Sequence, residues 1–588
     1  MTQYQAPIDD AKFLIEDVIG LARTAQLRQR DDITPELTSM LLDEAGRFAG
    51  EVLAPLNHTG DREGCHWNNG QVVTPNGFKE AYKSFTEAGW NGIRCEEAYG
   101  GQNLPHLLAI AIEEMMTSAN LSFALSPALN MGAIEALDYG ASDELKQIYL
   151  AKMVSGEWAG TMNLTEPQAG SDLANIRTKA VPQDGHYLIS GQKIFITYGE
   201  HDFTENIVHL VLARTPDAPA GVKGISLFVV PKFLVNEDGS LGERNDVECV
   251  SIEHKLGIHG SPTCVMSYGD RGGALGYLVG EENRGLEYMF VMMNLSRLNS
   301  GMQGPALGER AYQQALEYAK TRVQGGRNAA GEKQPIIEYP DVKRMLLSMK
   351  AQNEAMRSLV YAAAEMLDGV LGHGADQKQS ALPELLTPIV KGWCTEVGQE
   401  VTYLGIQVHG GMGFIEETGV AQHYRDARIT TIYEGTTAIQ ANDLLMRKIH
   451  RDKGQTYKEL LSMMQTVEDE LSGIPELQSI YRHYAQGIER LEQALADLLT
   501  LDINEKLSIA VPFLMLSGYT AGAWMMARSA LVAYKKLQSN SGNANFLKNK
   551  VQTAEFYMHG ILAKGIYYSA LIQSSAPSIV TAYESQSL

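Results

Sequence analysis

The stretch Arg425–Ile449 reads RDARITTIYEGTTAIQANDLLMRKI, and the rest of the chain can be interpreted outward from it. Thr431–Tyr433 is a short apolar run that predicts a strand-like entry, and Glu434-Gly435 predicts a turn, because glycine permits a tight backbone. Thr437, followed three residues later by Gln440, predicts a capping box that opens a helix. Glu434 therefore lies at a strand-like or loop-to-helix junction.

The helix predicted after this turn has one apolar face, formed by Ala438, Ala441, Leu445 and Ile449 at spacings of three and four. A carboxylate on a turn beside a buried helix is readily desolvated, and desolvation raises its pKa. A glutamate with a raised pKa is a suitable general base for a weakly acidic C–H bond. An exposed turn glutamate is the alternative that this segment alone leaves open.

Three separate blocks resemble one known family. The block Ile432–Thr436, preceded by Arg425–Arg428, resembles the catalytic-base motif of the flavin-dependent acyl-CoA dehydrogenases. Asn163–Asp172 (NLTEPQAGSD) resembles their flavin-contacting loop, and Gly191–Thr197 (GQKIFIT) resembles the strand beside their flavin ring. The resemblance covers about residues 34 to 450. Both flanks resemble a longer bacterial subgroup that includes enzymes acting on 3-methylthiopropionyl-CoA.

The resemblance implies an α+β fold with an N-terminal helical domain, a middle β-domain, a helical bundle domain and an extra C-terminal helical domain. The expected segments are an N-terminal extension (1–34), the N-terminal helical domain (35–160), the β-domain (161–281), the bundle with the catalytic base (282–450) and the extra domain (451–588). The sequence texture is consistent with this division. Short β-branched or aromatic runs fill 187–197, 207–213, 225–230, 264–268 and 277–279, between helical patterns on either side.

The resemblance also implies the residues that hold FAD. Those assigned to the loop, the strand and the turn are Met162, Leu164, Thr165, Ser171, Phe195, Ile196, Thr197 and Thr436. Arg322 matches a pyrophosphate-binding arginine, and Gln407, Gly410 and Gly411 match a Gln-x-x-Gly-Gly that receives the adenosine side of the flavin of a neighbouring subunit. The sequence after Arg322 departs from the common pattern, since Gln324-Gly325-Gly326 and Pro340 stand where the family has Phe-Gly and a later Gln.

The substrate-binding residues implied in the same way are Ser171, Arg297, Tyr433 and Gly435. A salt bridge on a helix surface is the alternative role for Arg297. The implied reaction is removal of a Cα proton from an acyl-CoA by Glu434 while hydride leaves Cβ for the flavin. The product is a trans-2-enoyl-CoA, and an electron-transfer flavoprotein is the expected acceptor.

Three alternatives stay open. The first is an oxidase of the same fold that passes electrons to oxygen. The second is a DNA-associated flavoprotein branch, which carries a basic C-terminal domain; residues 451–588 contain 12 Lys and Arg against 13 Asp and Glu, which argues against it. The third is a scaffold without catalysis, which the intact Tyr433–Thr436 motif opposes.

Bulk properties limit the remaining function classes. A chain of 588 residues predicts three or four domains. The net charge of −21 disfavours nucleic acid and anionic membranes. Five scattered cysteines without a Cys-x-x-Cys pair predict no metal site, and together with the absence of a secretory signal they predict a cytoplasmic location. The uncharged segment 507–527 favours a buried bundle helix over a membrane span.

The extra C-terminal domain also bears on assembly. In shorter members of the family a tetramer covers the back of the helical domain, whereas an extra domain covers that surface with the same chain. A second subunit is still needed if Gln407, Gly410 and Gly411 complete a flavin site across an interface. We therefore expect a homodimer with two-fold symmetry.

Overall fold

The computed structural model describes residues 3–327, 331–371, 381–575 and 578–580. The described chain combines many helices with an eight-stranded sheet, which confirms the predicted α+β class. It forms two compact units. One contains the described residues up to Arg47, Pro105–Ser118 and the described residues from Arg297 onward, and the other contains Phe48–Leu104 and Ala119–Ser296.

One amphipathic helix over residues 8–28 is predicted from an apolar face of Leu14, Ile15, Val18, Ile19 and Ala22, but the helix is interrupted. Helices α1 (Ile8–Lys12) and α2 (Leu21–Arg28) are separated by a π-helical turn, Phe13–Ile19, and by Gly20 at φ 106°. Because of the interruption, the residues after Gly20 do not continue the apolar face of the residues before it. Ala22, predicted to be buried, is therefore exposed, and Leu21 and Thr24 are buried instead.

Six further helices and one hairpin precede the main sheet. The helices are α3 (Pro35–Phe48), α4 (Ala54–Glu63), α5 (Phe78–Glu87), α6 (His106–Ala119), α7 (Leu121–Gly140) and α8 (Asp143–Ser155), and the hairpin is β1 (His66–Asn68) with β2 (Gln71–Val73). Asn120 and Ser142 cap α7 and α8 by accepting backbone N–H bonds. The hairpin was not predicted, because a three-residue strand is too short to show periodicity.

The main sheet lies within the second unit. Its strands are β3 (Trp158–Asn163), β4 (Lys179–Gln183), β5 (His186–Thr197), β6 (Asn206–Ala213), β7 (Ser226–Pro231), β10 (Val247–Ile252), β11 (Thr263–Tyr268) and β12 (Ala274–Leu278), with a separate hairpin of β8 (Phe233–Val235) and β9 (Leu241–Arg244). The order is β10-β11-β5-β12-β7-β6-β3, with β4 also paired to β5. Only the β3–β6 pair of this sheet is parallel within the described chain. Every residue of β6 and β7 is buried, as expected for central strands.

Helices of very different length follow the sheet in sequence, and apart from residues 285–296 of the first one they belong to the first unit. They are α9 (Gly285–Thr321), α10 (Pro340–Leu371), α11 (Ala381–His409), α12 (Val420–Ala427), α13 (Thr437–Asn442), α14 (Gln455–Ser472), α15 (Gln478–Thr500), α16 (Ile503–Ser508), α17 (Ala510–Gln538), α18 (Ala544–Phe556) and α19 (Lys564–Ser574). A hairpin, β13 (Val323–Arg327) with β14 (Lys333–Pro335), connects α9 to α10. Residues 328–330, between these two strands in the sequence, lie outside the described residues.

Helix α17 packs directly on α11. A Cβ added at Gly518 would lie 2.1 Å from Trp393 Cγ, and one added at Gly392 would lie 2.7 Å from a methyl of Leu514. The missing side chains therefore let the two helix backbones approach closely. No described helix is both long enough and apolar enough to span a bilayer, and most of the segment 507–527 is buried in α17.

Candidate active site

Glu434 lies on a tight turn rather than at the end of a strand. The predicted strand-like entry is wrong: Arg428–Thr431 is a 3-10 helix that continues from α12. Glu434 has φ 56° and Gly435 has φ 91°, so two successive residues occupy the left-handed region. A Cβ at Gly435 would lie 2.7 Å from Gln440 Nε2, which explains why glycine follows the glutamate.

The cap of α13 is one residue earlier than predicted. Thr436, not Thr437, is the N-cap, and its hydroxyl accepts a bond from the Ile439 N–H at 3.4 Å. Gln440 does not complete a capping box, because its amide donates to the Glu434 carbonyl at 3.0 Å. The helix face also differs: Ala441, Leu445 and Ile449 are buried as predicted, whereas Ala438 is exposed.

The electrostatic surroundings make Glu434 a stronger base than an ordinary glutamate. Burial raises the pKa of Glu434 to about 6, and Arg297 and Lys391 partly oppose that effect. The backbone N–H of Glu434 donates to no acceptor among the described residues. The turn therefore offers both a basic carboxylate and a free donor.

The two neighbouring glutamates are poor rivals for the role of base. Glu416 is exposed and forms an ion pair with Arg425 at 2.9 Å, and Glu417 is also exposed. Neither side chain shares the desolvated surroundings of Glu434.

Arg297 and Tyr433 lie in the same unit as Glu434 and are fixed by polar contacts. Arg297, on α9, is buried, and its Nη1 lies 3.6 Å from Asp443 Oδ2, so the surface salt bridge considered as an alternative is in fact a buried pair. None of the described residues accepts a hydrogen bond from Arg297 Nε. The Tyr433 hydroxyl donates to the side-chain oxygen of Gln303.

The strand predicted to contact the flavin contains a bulge. Met266 pairs with Lys193 and Cys264 pairs with Ile196, so β5 has one extra residue between these pairs. Phe195 lies there with φ 60° and is 59% exposed, although Ile196 beside it is buried. The bulge thus presents an aromatic ring outward from the sheet. Thr197, at the end of β5, is half-buried.

The predicted flavin loop is hydrogen-bonded to this bulge. Thr165 O accepts from the Ile194 N–H at 2.9 Å, and Leu164 O accepts from Lys193 Nζ at 3.0 Å. Leu164 is buried, Met162 and Thr165 are half-buried, and Ser171 is exposed. The structure therefore brings the loop and the strand together within the second unit.

A buried ion pair that the sequence analysis missed supports the same loop. Lys193 Nζ lies 2.9 Å from Glu166 Oε1, and both side chains are buried. Burial alone would raise the pKa of Glu166, but Lys193 and the Thr178 hydroxyl lower it to about 2. The available signal was a charged residue directly before the apolar run Ile194–Ile196 of the predicted strand.

The residues predicted to contact the distal parts of the cofactor are exposed in the first unit. Gln407, Gly410, Gly411 and Arg322 all have exposed positions. A Cβ built on Gly410 or Gly411 would meet no described atom within 4 Å. The surface there is open to another molecule. Within the described part of the chain, no group of three or more His, Cys, Asp or Glu could hold a metal ion.

Four regions match known family descriptions. Residues 35–157 match "Acyl-CoA dehydrogenase, N-terminal domain", 161–270 match the middle domain and 283–449 match the C-terminal domain of the same family. Residues 460–582 match "Acetyl-CoA dehydrogenase C-terminal like".

Two curated relatives are similar over nearly the whole chain. The chain is 49% identical to 3-methylmercaptopropionyl-CoA dehydrogenase of Ruegeria pomeroyi, covering 98% of this chain and 99% of the relative. It is 37% identical to a butyryl-CoA dehydrogenase of Syntrophomonas wolfei, covering 95% of each chain.

Solved structures share the fold. An acyl-CoA dehydrogenase of Bacillus anthracis, solved in complex with FAD, is similar with a TM-score of 0.74 at 21% identity, over 95% of this chain and 91% of that one. A chain solved in a study of the electron transferring flavoprotein of Acidaminococcus fermentans is similar with a TM-score of 0.57 at 27% identity, over 69% of this chain and 96% of that one.

Proposed function

The chain belongs to the acyl-CoA dehydrogenase family, and we propose that it oxidises the Cα–Cβ bond of 3-methylthiopropionyl-CoA to give the trans-2-enoyl-CoA. The observation that carries this proposal is the Glu434 turn, where burial raises the pKa of a carboxylate to about 6 beside a free backbone N–H. The 49% identity to a dehydrogenase of 3-methylmercaptopropionyl-CoA, the same thioester under another name, supports the acyl group. Butyryl-CoA is the second substrate to test, because of the Syntrophomonas relative.

Glu434 is the proposed base. Its carboxylate removes the proton from Cα. The neighbouring thioester carbonyl makes this C–H bond weakly acidic. As that proton leaves, negative charge develops on the thioester oxygen, and the free Glu434 N–H is a donor that can stabilise it. Tyr433 and Gly435 flank the base, and Arg297 keeps a positive charge nearby.

The cofactor is FAD, and the residues present fit a flavin. The exposed Phe195 ring and the buried Leu164 and Ile196 offer apolar contacts, and the hydroxyls of Thr165 and Thr197 offer polar ones. Ser171 and Met162 complete the proposed set in the second unit, and Thr436 is proposed separately as a residue that contacts FAD. When bound, FAD supplies the acceptor for the hydride that leaves Cβ.

The distal part of FAD is proposed to contact exposed residues. The guanidinium of Arg322 suits pyrophosphate oxygens, because its fixed donors match phosphate geometry. Gln407, Gly410 and Gly411 are proposed to meet the adenosine side of FAD bound to a second copy of the chain. The open space around both glycines supports a close approach of that kind.

Electron acceptor, assembly and location are parts of the same proposal. We propose an electron-transfer flavoprotein as acceptor and a homodimer as the assembly. Apolar side chains are exposed around Gly410 and Gly411, which supports a subunit contact there; they are Tyr403, Met412, Phe414, Ile415 and Tyr424. The cytoplasm is the proposed location, since the five cysteines are free.

An anaerobic panel of acyl-CoA thioesters tests the proposal. The FAD-loaded protein is mixed with 3-methylthiopropionyl-CoA, butyryl-CoA or a long-chain acyl-CoA, and loss of the visible flavin absorbance is followed. We expect the methylthio substrate to reduce the flavin fastest. Reoxidation that is fast with an electron-transfer flavoprotein and slow with oxygen supports a dehydrogenase, and the reverse indicates an oxidase. No reduction by any thioester would contradict the proposed function.

A further inference from the structure

Lys391 is a buried cation directly behind the catalytic turn. It lies in the interior of α11, its side chain is fully buried, and its Nζ donates to the Gly435 carbonyl at 2.6 Å. Lysine is almost never fully buried without a partner, because removing an ammonium group from water is costly. A cost of this kind calls for a compensating contact.

That contact is not a direct ion pair. Among the described residues, no carboxylate oxygen lies within 4 Å of Lys391 Nζ, whereas two other buried lysines, Lys193 and Lys550, each pair with a glutamate or aspartate. The ammonium group of Lys391 instead donates a hydrogen bond to a backbone carbonyl of the turn that carries Glu434. This contact joins α11 to the turn that carries Glu434.

The turn needs such contacts because its backbone is strained. Glu434 is a non-glycine residue at φ 56°, a conformation in which the Cβ of an L-residue is crowded against the following carbonyl oxygen. Such conformations persist only where the surroundings hold them. Here the Gln440 amide binds the carbonyl of Glu434 at 3.0 Å, and Lys391 binds the carbonyl of Gly435.

Charged groups from every neighbouring element surround this position. Arg297 on α9 and Glu396 on α11 face it, and Glu396 accepts a bond from Thr437 at 2.5 Å. Two carboxylates lie further out: Asp443, which pairs with Arg297, and Asp426 on α12. The phenols of Tyr519 on α17 and Tyr568 on α19 are the other titratable groups on this side. Arg297 and Lys391 are the two cations that act on Glu434.

We propose that Lys391 is a positioning residue, which clamps the Gly435 carbonyl to hold the Glu434 turn in its reactive conformation and whose positive charge favours the carboxylate form of Glu434. This proposal rests on the proposed function, in which Glu434 is the base. Two consequences follow. Loss of the clamp lets the turn relax, which slows proton removal, and loss of the charge makes Glu434 harder to ionise.

The test compares Lys391→Met, Lys391→Arg and wild type as FAD-loaded proteins. The rate of flavin reduction by the best acyl-CoA is measured across the pH range from 5 to 9. For Lys391→Met we expect a loss of roughly 10- to 100-fold at neutral pH, because a small displacement of a reacting group has effects of that size. The acid limb of the profile moves to higher pH by roughly one unit, since an opposite charge nearby has been removed.

Two further variants separate this role from a loss of packing. Gln440→Met removes an uncharged contact of the same turn, so it slows the reaction without moving the acid limb. Lys506→Met removes a buried lysine of α16 and leaves both the rate and the acid limb unchanged. Lys391→Arg retains the charge and keeps the wild-type acid limb. If Lys391→Met fails to fold, a moved acid limb in Lys391→Arg overturns the proposal.

The outcomes distinguish this inference from the function it rests on. If no acyl-CoA reduces the wild-type flavin, the proposed function fails. If the wild type is reduced and Lys391→Met has the wild-type rate and acid limb, only the role of Lys391 is overturned.

Discussion

At the scale of single residues, Glu434 owes its basicity to what surrounds it. Burial favours the neutral acid, and two cations limit that effect, so the pKa settles at about 6. The carboxylate is thus ionised at neutral pH and is still more basic than an exposed glutamate. Both properties are useful for removing a Cα proton.

This pKa sets the expected pH dependence. Only the ionised form of Glu434 can accept a proton, so the rate of flavin reduction is nearly full above about pH 7, half-maximal near pH 6 and about tenfold lower at pH 5. Single-turnover reduction by acyl-CoA at each pH measures this, with FAD content as the control. A rate that stays level down to pH 4.5 would mean that the base is not a glutamate with a raised pKa.

Some of the residue-level features could be predicted from the sequence and others could not. Glu434 and Gly435 could be identified because a distinctive motif surrounds them. The N-cap was misplaced because Thr436 and Thr437 are both residues of the kind that cap helices, and the sequence does not show which one accepts the backbone bond. Lys391 is 43 positions before Glu434 in the chain, and only the packing of α11 brings them together.

At the scale of elements, the bulge in β5 exposes the aromatic side chain that we propose to contact the flavin. The extra residue exposes Phe195. The ion pair between Glu166 of the loop and Lys193 of the strand holds the two segments together next to the bulge. The strand itself was predicted correctly, because apolar β-branched runs are a strong signal. The bulge was not, since it depends on the register with β11.

Lys193→Met is expected to destabilise this region. It leaves Glu166 as a buried charge without its cation, and breaking a buried pair in this way costs about 3–5 kcal/mol. We expect a lower melting temperature and a lower FAD content after purification, both measured against wild type. Lys179→Met, an exposed lysine on β4, is the matched control and should change neither. Full FAD retention in Lys193→Met would show that the pair does not support the flavin loop.

The contact between α17 and α11 is a second element-level feature. Gly518→Ala places a Cβ 2.1 Å from Trp393 Cγ, and overpacking of this kind costs about 1–3 kcal/mol. We expect a reduced denaturant midpoint for Gly518→Ala. Gly473→Ala is the control, because no described atom lies within 4 Å of the added Cβ. Equal midpoints for the two variants would be inconsistent with close packing of α17 on α11.

At the scale of the whole molecule, the proposed homodimer has a mass of about 129 kDa, twice the 64.5-kDa chain. Phe414, 86% exposed beside the two open glycines, is expected to lie in the subunit contact. Phe414→Asp should therefore shift the mass measured by light scattering towards the monomer and reduce FAD retention. Ile503→Asp, an exposed apolar position on α16, should do neither. A wild-type monomer that retains all its FAD would contradict the shared site.

The domain order could be proposed from the sequence because each segment has its own texture and motif. The exact boundaries of the five segments remain a proposal. The two compact units of the structure could not be foreseen, since Pro105–Ser118 joins residues far away in the chain rather than its sequence neighbours. Periodicity reports which face of a helix is buried, not which partner covers it.

The central claim is that Glu434 removes the Cα proton of an acyl-CoA. Anaerobic mixing of 3-methylthiopropionyl-CoA with the FAD-loaded Glu434→Gln variant tests it most directly, with Glu417→Gln as the matched exposed control. The amide resembles the carboxylate in shape and cannot accept the proton, so we expect FAD to remain bound while its reduction slows by at least about 10²-fold. Reduction of the Glu434→Gln flavin at the wild-type rate would contradict the claim.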